Sequence, residues 1–317
     1  MAKKNATGGR RSSNGRRLGV PAYTTPLGRA YLGDAKNLLG CLASNSVGLV
    51  LTSPPFALRR QKAYGNVAAV DYVEWFLPFA HEIHRVLRPD GSFVLELGGG
   101  WNAGSGTRSL YQFELLLRLS KIFHVAQDFY WYNPSRLPTP AEWVTIRRTR
   151  VKDSVNLLWW LAKSENPQAD NRKVLRPYSR SMRRLLRDGY KVARRPSQHD
   201  IGPHFRRDNG GAIPPNLLTI PNTRSNDDYL HRCRAAGLTI HPARFPPALP
   251  EFFIRFLTEP GQLVLDPFAG SNVTGYVAEL LGRSWISMEI NADYVASARM
   301  RFPHAVISSA SLDSEAG

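Results

Sequence analysis

Acidic side chains are scarce in this 317-residue chain: 25 Asp and Glu stand against 42 Lys and Arg, a formal net charge of +17. That imbalance speaks to association rather than to fold, and it suggests a polyanionic partner, nucleic acid first. Cysteine is scarcer still. With only Cys41 and Cys233 the chain carries neither a disulfide framework nor a zinc set, which fits a reducing, cytoplasmic compartment. Neither cysteine follows a proline, which argues against ring chemistry driven by a Pro-Cys thiolate. No apolar run reaches the ~18 residues of a membrane helix, and the basic start leads into polar, Gly-rich sequence rather than a signal-peptide core, so no membrane partner is expected. A full G-x-G-x-x-G is missing too, and with it the pyrophosphate cradle of a dinucleotide enzyme.

What is present starts with a basic arm, residues 1–20, in which Lys3, Lys4, Arg10, Arg11, Arg16 and Arg17 occur without an acid. Its composition reads as disordered, either a solvated tail or a loose phosphate contact. Folded sequence begins with a short strand at 30–34 ending in Asp34, a carboxylate placed either to meet a ligand at a strand end or to cap the helix through Leu38, Leu39 and Leu42. Next, Val47-Gly48-Leu49-Val50-Leu51 reads as a buried parallel strand that a double proline stops, leaving Thr52-Ser53-Pro54-Pro55-Phe56 as a stiff polar tip. The tip offers a hydroxyl, a carbonyl on Pro54 and an aromatic ring. Together these suit a planar base bearing an exocyclic amine, with Phe56 stacking and Ser53 and Pro54 accepting the amine hydrogens; a plain proline-rich turn remains the alternative.

A helix is expected from Asp71 through Val73, Phe76, Leu77, Ala80, Ile83 and Leu87, closed by Asp90-Gly91, then a strand over 92–97. Glu96 is a charge inside that apolar strand and needs a partner or a function. A helix over 109–120 and strands over 122–132 and 153–162 follow, the last two as an antiparallel edge, with Tyr130, Trp131 and Tyr132 read as core. Between Arg172 and Arg195 ten basic residues meet the single acid Asp188. A solvated face would interleave both signs, so this block, with Arg183, Arg184, Arg194 and Arg195, reads as phosphate contact. His199 and Asp200 and the turn-rich 208–216 segment are candidates to read base edges.

From His241 the α/β pattern resumes, with a helix over 249–257. Leu263 to Asp266 is a strand, Pro267-Phe268-Ala269-Gly270-Ser271-Asn272 a turn, 273–281 a helix, and 285–289 a strand ending in Glu289. An acid about 20 residues beyond the turn glycine is the ribose-binding arrangement of a βαβ nucleotide unit. A nucleoside without phosphates, carrying an amino-acid tail, suits a turn holding Asp266, Phe268 and Ser271.

These stretches resemble AdoMet-dependent amino-methyltransferases of DNA in the permuted order, catalytic loop before cofactor loop, and most closely the PvuII-type N4-cytosine group. The likeness runs from about Tyr31 to Phe302. Ser53-Pro54-Pro55-Phe56 matches that group's Ser-Pro-Pro-Phe/Tyr motif, where adenine N6 enzymes carry Asp-Pro-Pro-Tyr. The resemblance implies a Rossmann-like sheet with helices on both faces and an inserted DNA-recognition region. It divides the chain into a catalytic part (21–165), a target-recognition region (166–240), a cofactor part (241–302) and a tail (303–317). It implies AdoMet held by Asp34, Thr52, Asp266, Phe268, Gly270, Ser271, Asn272 and Glu289, with no metal. Double-stranded DNA is the implied substrate, its target a CAGCTG-like palindrome, in a restriction-modification setting with a cognate endonuclease. Two departures stand out: Gly48 where relatives have an acid, and Glu96 where Asp is common. An adenine N6 enzyme with an atypical serine, an inactive DNA-binding protein and a nucleotide-dependent oxidoreductase are the competing readings.

Overall fold

Two kinds of apolar pattern build the molecule: continuous runs that become strands buried on both faces, and 3.6-residue periods that become the helices covering them. The computed structural model describes residues 17–57, 67–102, 104–189, 207–223 and 227–307. Its strands are β1 (Tyr23–Thr24), β2 (Gly28–Leu32), β3 (Val47–Thr52), β4 (Leu87–Leu97), β5 (Gly100–Trp101), β6 (Arg108–Ser109), β7 (His124–Tyr132), β8 (Val155–Ala162), β9 (Leu217–Thr219), β10 (Leu263–Asp266), β11 (Ser284–Glu289) and β12 (Val306–Ile307). Its helices are α1 (Ala35–Leu39), α2 (Tyr72–Val86), α3 (Tyr111–Leu119), α4 (Arg180–Asp188), α5 (Asp228–Ala235), α6 (Ala248–Leu257), α7 (Val273–Leu280) and α8 (Ala292–Ala298).

Ten strands form one sheet in the order β12-β1-β2-β11-β10-β3-β4-β8-β7-β9, and β5 and β6 make a separate hairpin. The five strands β2, β11, β10, β3 and β4 are parallel to one another. Their carboxyl ends therefore open on one edge, where α/β sheets bind ligands. The late strands β10 and β11 slot between the early β2 and β3, so that edge gathers residues from both halves of the chain. β7 is antiparallel to β8, as the sequence suggests; β8 is also antiparallel to β4, and β9 adds parallel to β7, so that β9 rather than this pair forms the edge.

Side-chain alternation divides the core. Val50, Phe93 and Leu95 pack with α1, α2 and α3 on one face; Leu49, Leu51 and Val94 pack with α6 and α7 on the other. Every residue of β3 is buried, which is why its sequence is apolar without interruption.

Three boundaries differ from the sequence reading. α2 ends at Val86 and β4 begins at Leu87, rather than the helix running on to Asp90-Gly91. Pro89 supplies no amide and disfavours helical geometry at Arg88, so residues 88–91 become a bulge between the Val47↔Leu87 and Leu49↔Ser92 pairs. The stretch after Phe302, read as a tail, returns to the sheet where Val306 and Ile307 pair with β1. Within 166–240, β9 joins the main sheet and α5 packs Tyr229, Leu230 and Cys233 beside Met300. Such short apolar runs lack the length that makes a periodicity visible. No described helix is long and apolar enough to cross a membrane.

Candidate active site

A cavity of about 840 Å³ lies at the carboxyl edge of the parallel strands, within the size range of small-molecule sites. Eleven of the residues singled out from sequence line it: Asp34, Ser53, Pro54, Pro55, Phe56, Glu96, Asp266, Phe268, Gly270, Ser271 and Glu289. Thr52 and Asn272 do not.

The double proline carries Ser53 out of β3, and the next helix pins the loop: the Tyr72 hydroxyl donates to the Pro55 carbonyl at 2.8 Å. Among the described residues no donor reaches the Pro54 carbonyl. Phe56 lies against Gly98, where an added Cβ would come within 2.3 Å of the ring. The glycine after β4 thus makes room for the aromatic residue of the loop.

Glu96 is 1% exposed, and its two oxygens have different partners. The Ser53 hydroxyl donates to Oε2 at 2.6 Å, and the Asn156 amide donates to Oε1 at 2.5 Å. Arg136 in turn donates from Nη1 to Asn156 Oδ1 at 2.6 Å. Burial pushes the Glu96 carboxyl up to about 7, against the lowering pull of Ser53, Asn156 and the Arg136 charge. Because the folded state holds this proton more tightly than the unfolded chain, Glu96 lowers stability as pH rises from the ordinary carboxylate range through about 7. A buried carboxyl that holds its proton toward neutrality is a candidate to exchange one at this site.

On the other side of the cavity, Asp266 at the end of β10 accepts from Thr52 Oγ1 at 2.6 Å and from the Phe268 amide at 3.2 Å. Burial raises its pKa to about 6. Thr52, expected to touch a cofactor, is instead wholly buried and ties β3 to β10. Glu289 accepts the Gly270 amide on Oε2 at 2.8 Å and the Asn291 amide on Oε1 at 2.9 Å. Gly270 sits at φ +51, and the His241 ring lies 3.2 Å from where its Cβ would be, so both backbone and space favour glycine here.

Asn272 also departs from its expected role. It is buried at φ 51, caps α7 by accepting from the Gly275 amide at 3.1 Å, and donates to Tyr23 Oη at 2.9 Å. Its polar atoms are committed to the fold. Asp34 caps α1, Oδ1 accepting from the Lys36 amide at 2.8 Å, and the residue also lines the cavity. Ser271 lines the cavity and is braced by the buried Arg301, which donates to its carbonyl at 2.6 Å and its hydroxyl at 3.2 Å.

Lining residues that the sequence reading does not assign to the site include Trp75, Trp131, Arg136 and Asn156. Trp75 joins Phe79 against Phe268, and Trp131, read as core, is buried in the core and lines the cavity as well. Asn156 is detectable, being a polar residue inside an apolar strand as Glu96 is. Arg136 has no local signal. Of the candidate DNA contacts, Arg183 and Arg184 lie exposed on α4, where Ser179 caps the first turn. Arg194, Arg195, His199 and Asp200 lie outside the described residues.

Known proteins share this architecture. The type II methyltransferase M.PvuII of Proteus hauseri is 53% identical over 287 residues, 89% of this chain and 85% of that protein. M.BglII of Bacillus subtilis is 27% identical over 85% of this chain and 67% of its own length. Among solved structures, that of the PvuII DNA methyltransferase (cytosine-N4-specific) superposes with a TM-score of 0.73 at 46% identity, covering 93% of both chains. A DNA modification methylase from Thermus thermophilus, complexed with S-adenosyl-L-methionine, shares the fold at a TM-score of 0.56 and 20% identity, covering 88% of this chain and 96% of that one. Residues 47–300 match the DNA methylase family, and the protein belongs to that family.

Proposed function

We propose that this protein transfers a methyl group from AdoMet to the exocyclic N4 of a cytosine turned out of duplex DNA. The observation that carries this reading is the bond from Ser53 Oγ to Glu96 Oε2. With its proton spent on the carboxylate, the serine oxygen presents lone pairs, not a donor, to an incoming amine.

The cavity suits AdoMet in its chemistry. Asp34, Asp266 and Glu289 make its floor acidic, favouring a sulfonium and an ammonium and disfavouring phosphates. The Gly270 amide, which would face a pyrophosphate in a dinucleotide site, is already given to Glu289. Glu289 would hold the ribose hydroxyls through lone pairs its two amide bonds leave, Asp34 the adenine amine, and Phe268 with Trp75 would offer flat apolar walls. Asp266 and Ser271 complete the set. When bound, AdoMet supplies a methyl group on a cationic sulfur, open to direct attack by a neutral nitrogen.

A cytosine amine is a weak nucleophile because its lone pair is shared with the ring. Accepting its two hydrogens at Ser53 Oγ and the Pro54 carbonyl favours a pyramidal nitrogen with a localised lone pair. Phe56 stacks on the base. After transfer the nitrogen is cationic and acidic, and its proton leaves to Ser53, whose own proton passes to Glu96. No covalent enzyme intermediate is needed.

Arg183 and Arg184, with the rest of the basic block from Arg172 to Arg195, would hold the phosphates. The 53% identity to M.PvuII supports a CAGCTG-like target and a restriction-modification role beside a cognate endonuclease, in the cytoplasm on the nucleoid. The test is to incubate the protein with AdoMet and duplex DNA bearing CAGCTG, digest to nucleosides and identify the product by mass. N4-methylcytosine is expected. N6-methyladenine would overturn the assignment of base, and no product on any duplex would overturn the activity.

A further inference from the structure

Arginine has donors only, and that single property sets the polarity of everything it touches in the cavity wall. The atom of Asn156 facing Arg136 Nη1 at 2.6 Å must be the carbonyl Oδ1. The amide nitrogen then faces Glu96 Oε1 at 2.5 Å, which can only accept. The remaining carboxylate oxygen, Oε2, is left to Ser53 at 2.6 Å. Donation runs in one direction from Arg136 to Glu96, and from the other end Ser53 donates into the same carboxylate.

The chain is long-range: Arg136 lies on the loop after β7, Asn156 on β8, Glu96 on β4 and Ser53 beyond β3. Arg136 is fixed from behind, its amide bonded to Asn133 and its carbonyl accepting from Lys152 Nζ at 3.1 Å. The other titratable groups facing Glu96 are the phenols of Tyr72 on α2 and Tyr111 on α3. Burial raises both above the usual phenol range, so they stay neutral.

We propose that Arg136 is a positioning residue: acting through Asn156, it fixes the hydrogen-bond direction that makes Ser53 an acceptor toward the substrate amine. This rests on the reading of Ser53 given above. Without Arg136 the Glu96 carboxylate loses a charge that favours its ionised form and takes up a proton more readily, while the Asn156 amide still donates to Oε1. A protonated Glu96, with Oε1 occupied, carries its hydrogen on Oε2 and donates to Ser53 Oγ. The serine hydrogen then points into the cavity, opposing the amine hydrogens.

The experiment follows Glu96 in the ligand-free full-length protein through its carboxyl 13C resonance, assigned by its loss in Glu96→Gln. Arg136→Met is expected to raise the Glu96 midpoint by about one pH unit, since a guanidinium in this position favours the charged form. Arg136→Lys, which keeps the charge and a donor, restores it. Single-turnover methylation by Arg136→Met should fall about fivefold at about pH 7, the change in ionised fraction that one unit produces, and recover above about pH 9, with KM for DNA unchanged. An unmoved Glu96 midpoint, a loss equal at every pH, or an effect confined to KM would overturn the proposal. If the midpoint moves as expected while the wild-type protein makes no N4-methylcytosine, the coupling stands and the reading of Ser53 is what fails.

Discussion

The two sides of the cavity hold their carboxylates by different means. On the β10–β11 side, Glu289 is bonded to the backbone amides of Gly270 and Asn291, and Asp266 to the Phe268 amide and the Thr52 hydroxyl. On the β3–β4 side, the partners of Glu96 among the described residues are side chains, Ser53 and Asn156, the latter backed by Arg136. Backbone donors cannot change protonation or reverse direction, which suits a group that must keep one charge and one place. A hydroxyl and a primary amide can both reverse direction, the first by rotating its hydrogen and the second by turning over, and the hydroxyl can also pass its proton on. Glu289, held by backbone amides, is suited to holding a ligand, and Glu96, held by side chains, to moving a proton.

This contrast can be broken at either side. The largest effect is expected at Ser53: Ser53→Ala removes the acceptor proposed for the substrate amine and should lower single-turnover methylation by about 10²–10³-fold. Calorimetry should show AdoMet binding unchanged. Loss of both would mean that the loop is a structural support for the whole cavity. A smaller effect is expected across the cavity: Glu289→Gln replaces one accepting oxygen by a donor facing a backbone amide and weakens the charge-assisted bonds to the ribose. AdoMet affinity should fall about tenfold, the loss of one such bond, while the rate with saturating AdoMet stays near that of the unaltered protein. A Glu289→Gln protein with normal affinity and a depressed rate would reverse the roles assigned to the two sides.

Legibility in the sequence follows the same division. The β10–turn–α7–β11 unit is local: Asp266, Gly270 and Glu289 lie within one βαβ stretch, and their spacing alone announces a nucleoside site. Ser53 is legible because a buried strand stopped by two prolines is a rigid device, and Glu96 because a charge inside an apolar strand needs an explanation. Their partners are not. Asn156 reaches Glu96 because β8 runs antiparallel beside β4, with Glu96 opposite Leu158, and Arg136 arrives from a loop with no pattern of its own. Position in the motif points Thr52 and Asn272 at the cofactor, yet one residue's shift turns a strand-end side chain to the opposite face, and the αL backbone of Asn272 turns its amide into the fold. The α2–β4 junction is misplaced by the sequence for the converse reason: Leu87 continues a helical period that Pro89 ends.

The most direct measurement is the pH dependence of single-turnover cytosine methylation by the wild-type protein and by Glu96→Gln. With Glu96 pushed up to about 7, the wild-type rate should fall about tenfold per unit below about pH 7 and level off above it. Glu96→Gln, which has no proton to gain, should be slow and flat across that range. An acid limb near neutrality that survives unchanged in Glu96→Gln would contradict the account, because another group would then be setting the state of Ser53.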